Sequence, residues 1–298
     1  MNRNYNFMAL RRPALSLSAV LVLASLAFLF TRGLNLGIDF TGGNVIQLEF
    51  DNLPEVAEVR KVVSGVVAQE AMIQKFGEKG VIIRTNEDTE ESREQVISVL
   101  QKAFPDMKVS GYEKVGPVVG GELRRQAVIG VSIALVAILI YITVRFRFRF
   151  AVVSVIPLVH DVLIALGFFS LTQMEVSSSF IAAILTIVGY SLNNTIIILD
   201  RIRENWRDLG RDGIEKLVND SVNQTLARTI NTTLTTLFPV IALCVWGGPV
   251  LQAFSYAMLV GIIAGTYSSM FVATGALIEW YRARPESREG GVDERLRD

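Results

Sequence analysis

His160 and Asp161 stand side by side near the middle of an apolar run, Ala151 to Leu171, where ionisable groups are costly unless they face protein or water. A carboxylate held there can load and release a proton, so the pair reads as a proton or ion relay; a structural pair with a neighbouring helix is the plainer alternative. A second apolar run, Phe180 to Leu199, carries Thr186, Tyr190, Asn193, Asn194 and Ile197 at helical spacing. A third, Ile230 to Trp246, follows Arg228 and contains Asn231, Thr232, Thr235 and Thr236. Amides and hydroxyls in hydrocarbon seek partners on other helices. The two faces are therefore expected to meet and line a polar path, with simple adhesion between helices as the alternative. Asp161, His160, Asn193, Asn194 and Arg228 are the candidate relay residues.

These residues need apolar helices to hold them. The chain has 298 residues, 51% of them hydrophobic and 19% charged, with a mean hydropathy of +0.41. That is too apolar for a water-soluble chain of this size. A bilayer core requires about 20 apolar residues per helix. Six segments satisfy this and predict transmembrane helices at 13–32, 126–144, 151–171, 180–200, 230–246 and 251–281. The first lacks a small-x-small cleavage pattern and reads as a retained anchor. In the sixth, Gly261, Gly265 and Ser269 form a ridge of small residues suited to close helix packing.

Lysine and arginine set the orientation. Arg3, Arg11 and Arg12 precede the first span, Arg145, Arg147 and Arg149 fill the second turn, and Arg201, Arg203, Arg207 and Arg211 follow the fourth. Arg282, Arg284 and Arg288 lie in the tail, whereas the alternate loops, 172–179 and 247–250, carry neither residue. Both termini (1–12 and 282–298) and the 201–229 loop are expected in the cytoplasm of a bacterial cell, at its inner membrane. Residues 33–125 then form an exterior, periplasmic domain. Its pattern reads strand (44–50), helix (54–69), two strands (72–76 and 81–85), helix (89–104) and strand (108–115), a βαββαβ order that predicts a ferredoxin-like α+β domain. The fold class is thus a polytopic α-helical membrane protein: six transmembrane helices plus one periplasmic ferredoxin-like domain.

Enzyme chemistry finds little to work with. One histidine and one cysteine, Cys244 in an apolar run, cannot build a thiolate metal site or a disulfide framework. No His-Glu-x-x-His pair, phosphate-binding glycine loop or Gly-x-Ser-x-Gly elbow is present. No catalytic residue, cofactor, metal or nucleic-acid partner is expected. The segment Gly37-Ile38-Asp39-Phe40-Thr41-Gly42-Gly43 reads by itself as a turn and a strand start.

In combination the motifs resemble the SecF side of the SecD/SecF protein-export family, within the resistance-nodulation-division superfamily. The resemblance rests on Gly37 to Gly43, on Val115 to Leu123, on Leu158-Val159-His160-Asp161, on Gly189 to Asn194 running into Asp200 to Asn205, and on Gly247 to Val250. Gly37, Asp39, Gly42, Gly43, Gly116, Pro117, Gly120, Glu122, Asp200, Arg201, Arg203 and Glu204 match as structural motif residues. The resemblance implies a SecD partner with six further spans, work beside the SecY/SecE/SecG channel, and a proton or sodium gradient used to help draw secretory proteins across the bilayer. It also implies that Arg228 lies near the ion path. One position departs: the family usually has an aspartate where this chain has Asn194, and an amide holds no titratable proton. A self-contained lipid or drug exporter of the same superfamily, or a non-conducting assembly factor, are the alternatives.

Overall fold

The computed structural model describes residues 5–67, 71–77, 79–85, 89–145, 148–206 and 213–283. Arg3, Arg147, Arg207, Arg211, Arg284 and Arg288, the end of the expected 54–69 helix and most of the tail lie outside the described residues. Helix α1 (Arg11–Arg32) leads to a short strand β1 (Asn35–Leu36), a one-turn helix α2 (Ile38–Thr41) and the strand β2 (Gly43–Glu49). The elements α3 (Val56–Val63), β3 (Met72–Phe76), β4 (Gly80–Thr85), α4 (Glu90–Ala103) and β5 (Lys108–Val115) complete the polar segment. Its sheet is fully antiparallel in the order β3-β4-β2-β5, with a register shift at Gln47/Leu48. Alternation along β2 and β4 sends Ile46, Leu48, Val81 and Ile83 to one face, where they pack on Val59 and Val63 of α3 and Val96 and Leu100 of α4. Thr89 caps α4 by accepting from Ser92 N–H at 3.3 Å.

The remaining helices are α5 (Pro117–Arg145), α6 (Phe148–Thr172), α7 (Ser178–Asn205), α8 (Gly213–Trp246) and α9 (Gly248–Tyr267). A π-helical segment (Ser268–Ala273) joins α9 to α10 (Thr274–Ala283), and β6 (Glu175–Val176) lies between α6 and α7. Among the described residues, six helical stretches are long and apolar enough to cross a membrane. Their outward faces are apolar: Val128, Ile133, Val136 and Ile140 of α5 are exposed. Inside, α7 and α9 pack through small residues, so that a Cβ at Gly261 would overlap Ile187.

Several expected boundaries need correction. Helix α5 begins at Pro117 rather than at 126, which ends the sheet domain ten residues early. Much of the expected 201–229 loop is helix, because α7 continues to Asn205 and α8 starts at Gly213. Counting apolar residues finds the part of a helix inside hydrocarbon, whereas the backbone hydrogen bonds of α8 continue for about 50 Å at 1.5 Å per residue. The segment at Gly37 is a single helical turn followed by a strand start at Gly43, in line with the turn and strand start expected there.

At the end of the bundle opposite the sheet, Arg11 is 4% exposed and pairs with Glu215 (2.8 Å) and Glu279 (3.2 Å), while Arg282 also pairs with Glu215. Asn219 and Asn223 of α8 hold the Tyr5 carbonyl. Arg11 thereby ties α1 to α8 and α10. Removing one partner of a buried pair costs about 3–5 kcal/mol, discounted to about 1–3 kcal/mol here because Glu215 is nearly half exposed. Arg11→Ala should lower the thermal midpoint in detergent, with Arg12→Ala, an exposed neighbour, near wild type; equal midpoints would contradict the tie.

Candidate functional site

Asp161 is fully buried at the meeting of α6, α7 and the α9 π segment. Its Oδ2 accepts from Ser191 Oγ of α7 at 2.5 Å and from Ser268 Oγ at 2.8 Å, and its Oδ1 lies 2.8 Å from His160 Nδ1. Three helices thus supply polar atoms to one carboxylate. Charge-assisted hydrogen bonds of this kind are about twice as strong as neutral ones, and they offset part of the desolvation cost. His160 stacks on Tyr267, whose hydroxyl donates to the Ala14 carbonyl at 2.6 Å. The His160 Nε2 has no hydrogen-bond partner among the described residues.

Backbone geometry explains why two successive serines reach inward. A π turn widens the helix by one residue, and Ser268 and Ser269 both point into the core: Ser268 to Asp161, Ser269 to Thr195 of α7 at 2.8 Å. Gly265 opens the space one turn earlier. A Cβ there would lie 3.2 Å from Ser191 Cβ and 3.3 Å from Asp161 Oδ2.

The expected relay residues separate into two groups. Asp161 and His160 are in contact. Asn194 is fully buried, and among the described residues neither of its amide atoms has a hydrogen-bond partner. Tyr190 of α7 donates to Thr233 of α8 at 3.0 Å, and Thr233 meets Thr266 of α9 at 3.0 Å. Because α7 and α8 run antiparallel, Asn194 and Thr229 lie one turn further along at a common level, and the buried Thr229 hydroxyl also has no hydrogen-bond partner among the described residues. Asn193 and Arg228, with Thr186, Asn231 and Thr235, are instead exposed on the outer surface of α7 and α8. The two polar faces therefore meet through Tyr190 and Thr233, with Asn194 buried one turn along, while Thr186, Asn193, Arg228, Asn231 and Thr235 face out of the bundle.

The motif residues assemble at the sheet end. Asp39 Oδ2 accepts from Ser178 N–H at 2.7 Å, satisfying an open amide at the first turn of α7. Gly37 N–H donates to the Val176 carbonyl, and β1 pairs in parallel with β6. Gly42 and Gly43 adopt positive φ (75° and 135°), and a Cβ at Gly120 would come within 2.9 Å of Gly42 N. Gly120 N–H bonds the Gly116 carbonyl in the first turn of α5, which Pro117 opens, while Glu122 accepts from Gln126 at 3.1 Å. Arg201 pairs with Glu204 (2.7 Å) and Arg203 with Asp200 (3.4 Å) along the end of α7. Ser191, Ser268, Gly265, Arg84 and Glu175 were not singled out as site residues from the sequence. The small-residue ridge and the Gly189–Asn194 motif held a signal for the first three; nothing local marked the last two.

Six helices long and apolar enough to span a bilayer, joined to a four-stranded sheet, define a polytopic membrane protein. Residues 95–283 match the model of the C-terminal region of the SecD/SecF protein export membrane proteins, and residues 27–52 match the SecD/SecF GG motif. The chain belongs to the SecD/SecF protein-export family. It is 45% identical to the protein translocase subunit SecF of Desulfurispirillum indicum over 92% of this chain and 91% of that one. The corresponding subunit of Pseudomonas aeruginosa is 40% identical, over 92% and 90%. The crystal structure of SecDF, a translocon-associated membrane protein from Thermus thermophilus, superposes with a TM-score of 0.87 at 38% identity, covering 94% of this chain and 39% of that one. A super-membrane-facing form of SecDF gives 0.71 at the same identity, over 95% and 40%. The chain spans about two fifths of the length of those SecDF proteins.

Overfilling the α7–α9 contact should disturb the site. Gly265→Val should lose about 1–3 kcal/mol of thermal stability in detergent, whereas Gly130→Val, where nothing lies within 4 Å of a new Cβ, should lose much less. Equal losses would contradict the close packing around Asp161.

Proposed function

We propose that this chain is the SecF-type subunit of a membrane accessory to the Sec protein translocase, converting an ion gradient into movement that assists export. The observation that carries the reading is Asp161: a fully buried carboxylate held by side chains from three elements. A change in its charge must reorganise those partners, since the same hydroxyls cannot serve the charged and the neutral form equally well. A transmembrane potential acts on such a group with about 2.3 kcal/mol per elementary charge per 100 mV. Proton or sodium coupling within this chain rests on Asp161 in this reading, because the Asn194 amide holds no titratable proton.

The exposed polar stripe of Asn193, Arg228, Asn231 and Thr235 supports a partner of the SecD type, because such residues are costly against lipid. The 39% share of the SecDF chain that this protein covers fits one half of a larger assembly. In this reading both termini are cytoplasmic at the inner membrane, the sheet domain is a periplasmic ferredoxin-like unit, and the SecY/SecE/SecG channel delivers the translocating secretory protein. A non-conducting assembly role is the second reading, favoured by Asn194.

Inverted membrane vesicles containing the chain, its SecD-type partner and the Sec channel test the proposal. Imposing a proton gradient should raise the rate of preprotein export, and Asp161→Asn at normal abundance should abolish that increment while ATP-driven export continues. In these vesicles a cysteine at Glu204, in a Cys244→Ala background, should react with an impermeant thiol reagent and one at Glu94 should not. Full gradient dependence in Asp161→Asn would favour the assembly role, and reversed labelling would overturn the orientation.

A further inference from the structure

The sheet domain enters from the bundle at Gly42–Gly43 and returns to it at Gly116, and these joints are close neighbours, since Gly120 packs against the Gly42 backbone. Two adjacent joints form a narrow neck about which the sheet can swing. A polar contact lies one strand to the side of that neck, next to the packing of Ile38 on Val45 and Ile82. Arg84 of β4 is ion-paired with Glu175 of β6, and both side chains are less than a fifth exposed. Gln74 of β3 braces the guanidinium from the other side, accepting from Nη1 at 2.9 Å. The Glu175 carboxylate also accepts from Ile38 N–H and lies where a Cβ on Gly37 would overlap it. A continuous path therefore runs from β3 through Gln74, Arg84 and Glu175 to the connection between α6 and α7. Those are the helices that carry Asp161 and Ser191.

Burial pushes the Glu175 carboxyl above its usual range, with Arg84 pulling the other way and Asp39 adding to the rise. A pair whose desolvation outweighs its attraction contributes little net stability, and its remaining use is to fix orientation.

We propose that Arg84 and Glu175 are positioning residues that make the sheet and the α6–α7 connection move as one body, so that rearrangement around Asp161 reaches the exterior domain. This rests on the gradient-driven reading above. With the neck and the Ile38 packing alone, a shift of α6 and α7 would be taken up in part by rotation of the sheet; an ion pair on the neighbouring strand restrains that rotation.

The test uses the chain with its SecD-type partner, reconstituted beside the Sec channel, in a Cys244→Ala background. The variants are Glu175→Gln, Arg84→Gln, the double Glu175→Gln/Arg84→Gln, and Arg84→Cys/Glu175→Cys with and without a short bis-maleimide cross-link. Hydrogen exchange at residues 35–43 and 175–178 should rise several-fold in the neutralised variants, with α3 and α4 unchanged. The gradient-dependent part of export should fall several-fold while the ATP-driven part stays at wild-type level. The cross-link should return both to wild type, a rescue that lost packing alone would not give. Unchanged exchange in the double variant overturns the proposal. So does raised exchange with undiminished gradient-dependent export, or a cross-link that blocks export. If the parent protein shows no gradient response, the gradient reading fails by itself, and the exchange result still decides whether the pair ties the sheet to the bundle.

Discussion

Asp161 places one carboxylate in the middle of an apolar bundle, and water cannot solvate it there. The protein must bring hydrogen-bond donors to it from neighbouring elements, and the positions of those elements follow. Gly265 lets α9 approach α7 closely enough for Ser191 and Ser268 to share one oxygen. The π segment turns Ser269 toward Thr195 in the next layer. His160, adjacent in sequence, completes the set from the same helix and is steadied by Tyr267, which is in turn anchored on α1. The arrangement is specific because every donor depends on a different helix keeping its place.

The same constraint gives the outer elements a purpose. Helices α6 and α7 meet at β6, and β6 is interlocked with the segment after α1 by a reciprocal exchange. Asp39 takes an amide of α7, and Glu175 takes an amide of α2. A displacement of α7 therefore pulls directly on the base of the sheet domain. The exposed amide, guanidinium and hydroxyls along α7 and α8 show that the bundle by itself leaves polar surface uncovered, which the family relationship explains by a larger assembly.

Much of this architecture was legible in the residues. Six apolar runs gave the spans, because hydrocarbon length is read directly from composition, and period-two alternation gave the four strands of the sheet. His160-Asp161 stood out because ionisable residues are rare in such runs. What could not be read depends on long-range pairing. Asp39 and Ser178 are 139 residues apart, and no local pattern links them. The serines around Asp161 were hidden for another reason: small hydroxyl residues also serve helix packing, so Ser191 and Ser268 look alike in both roles until their distances are known. Arg228 and Asn193 show a second limit. Helical spacing assigns a residue to a stripe, yet only packing decides whether that stripe faces the bundle or leaves it.

The central claim is that the Asp161 carboxyl changes its protonation and that its hydrogen-bond partners respond. Infrared difference spectroscopy of the reconstituted protein with its SecD-type partner, recorded across a pH titration with and without isotope-labelled aspartate, reports this directly. The account predicts a carbonyl band of a protonated carboxylic acid that shifts with the label, titrates with pH and is missing in Asp161→Asn. A band that changes position in Ser268→Ala would tie it to the same hydroxyl. An Asp161 carboxyl that keeps one protonation state across the whole range would contradict the account.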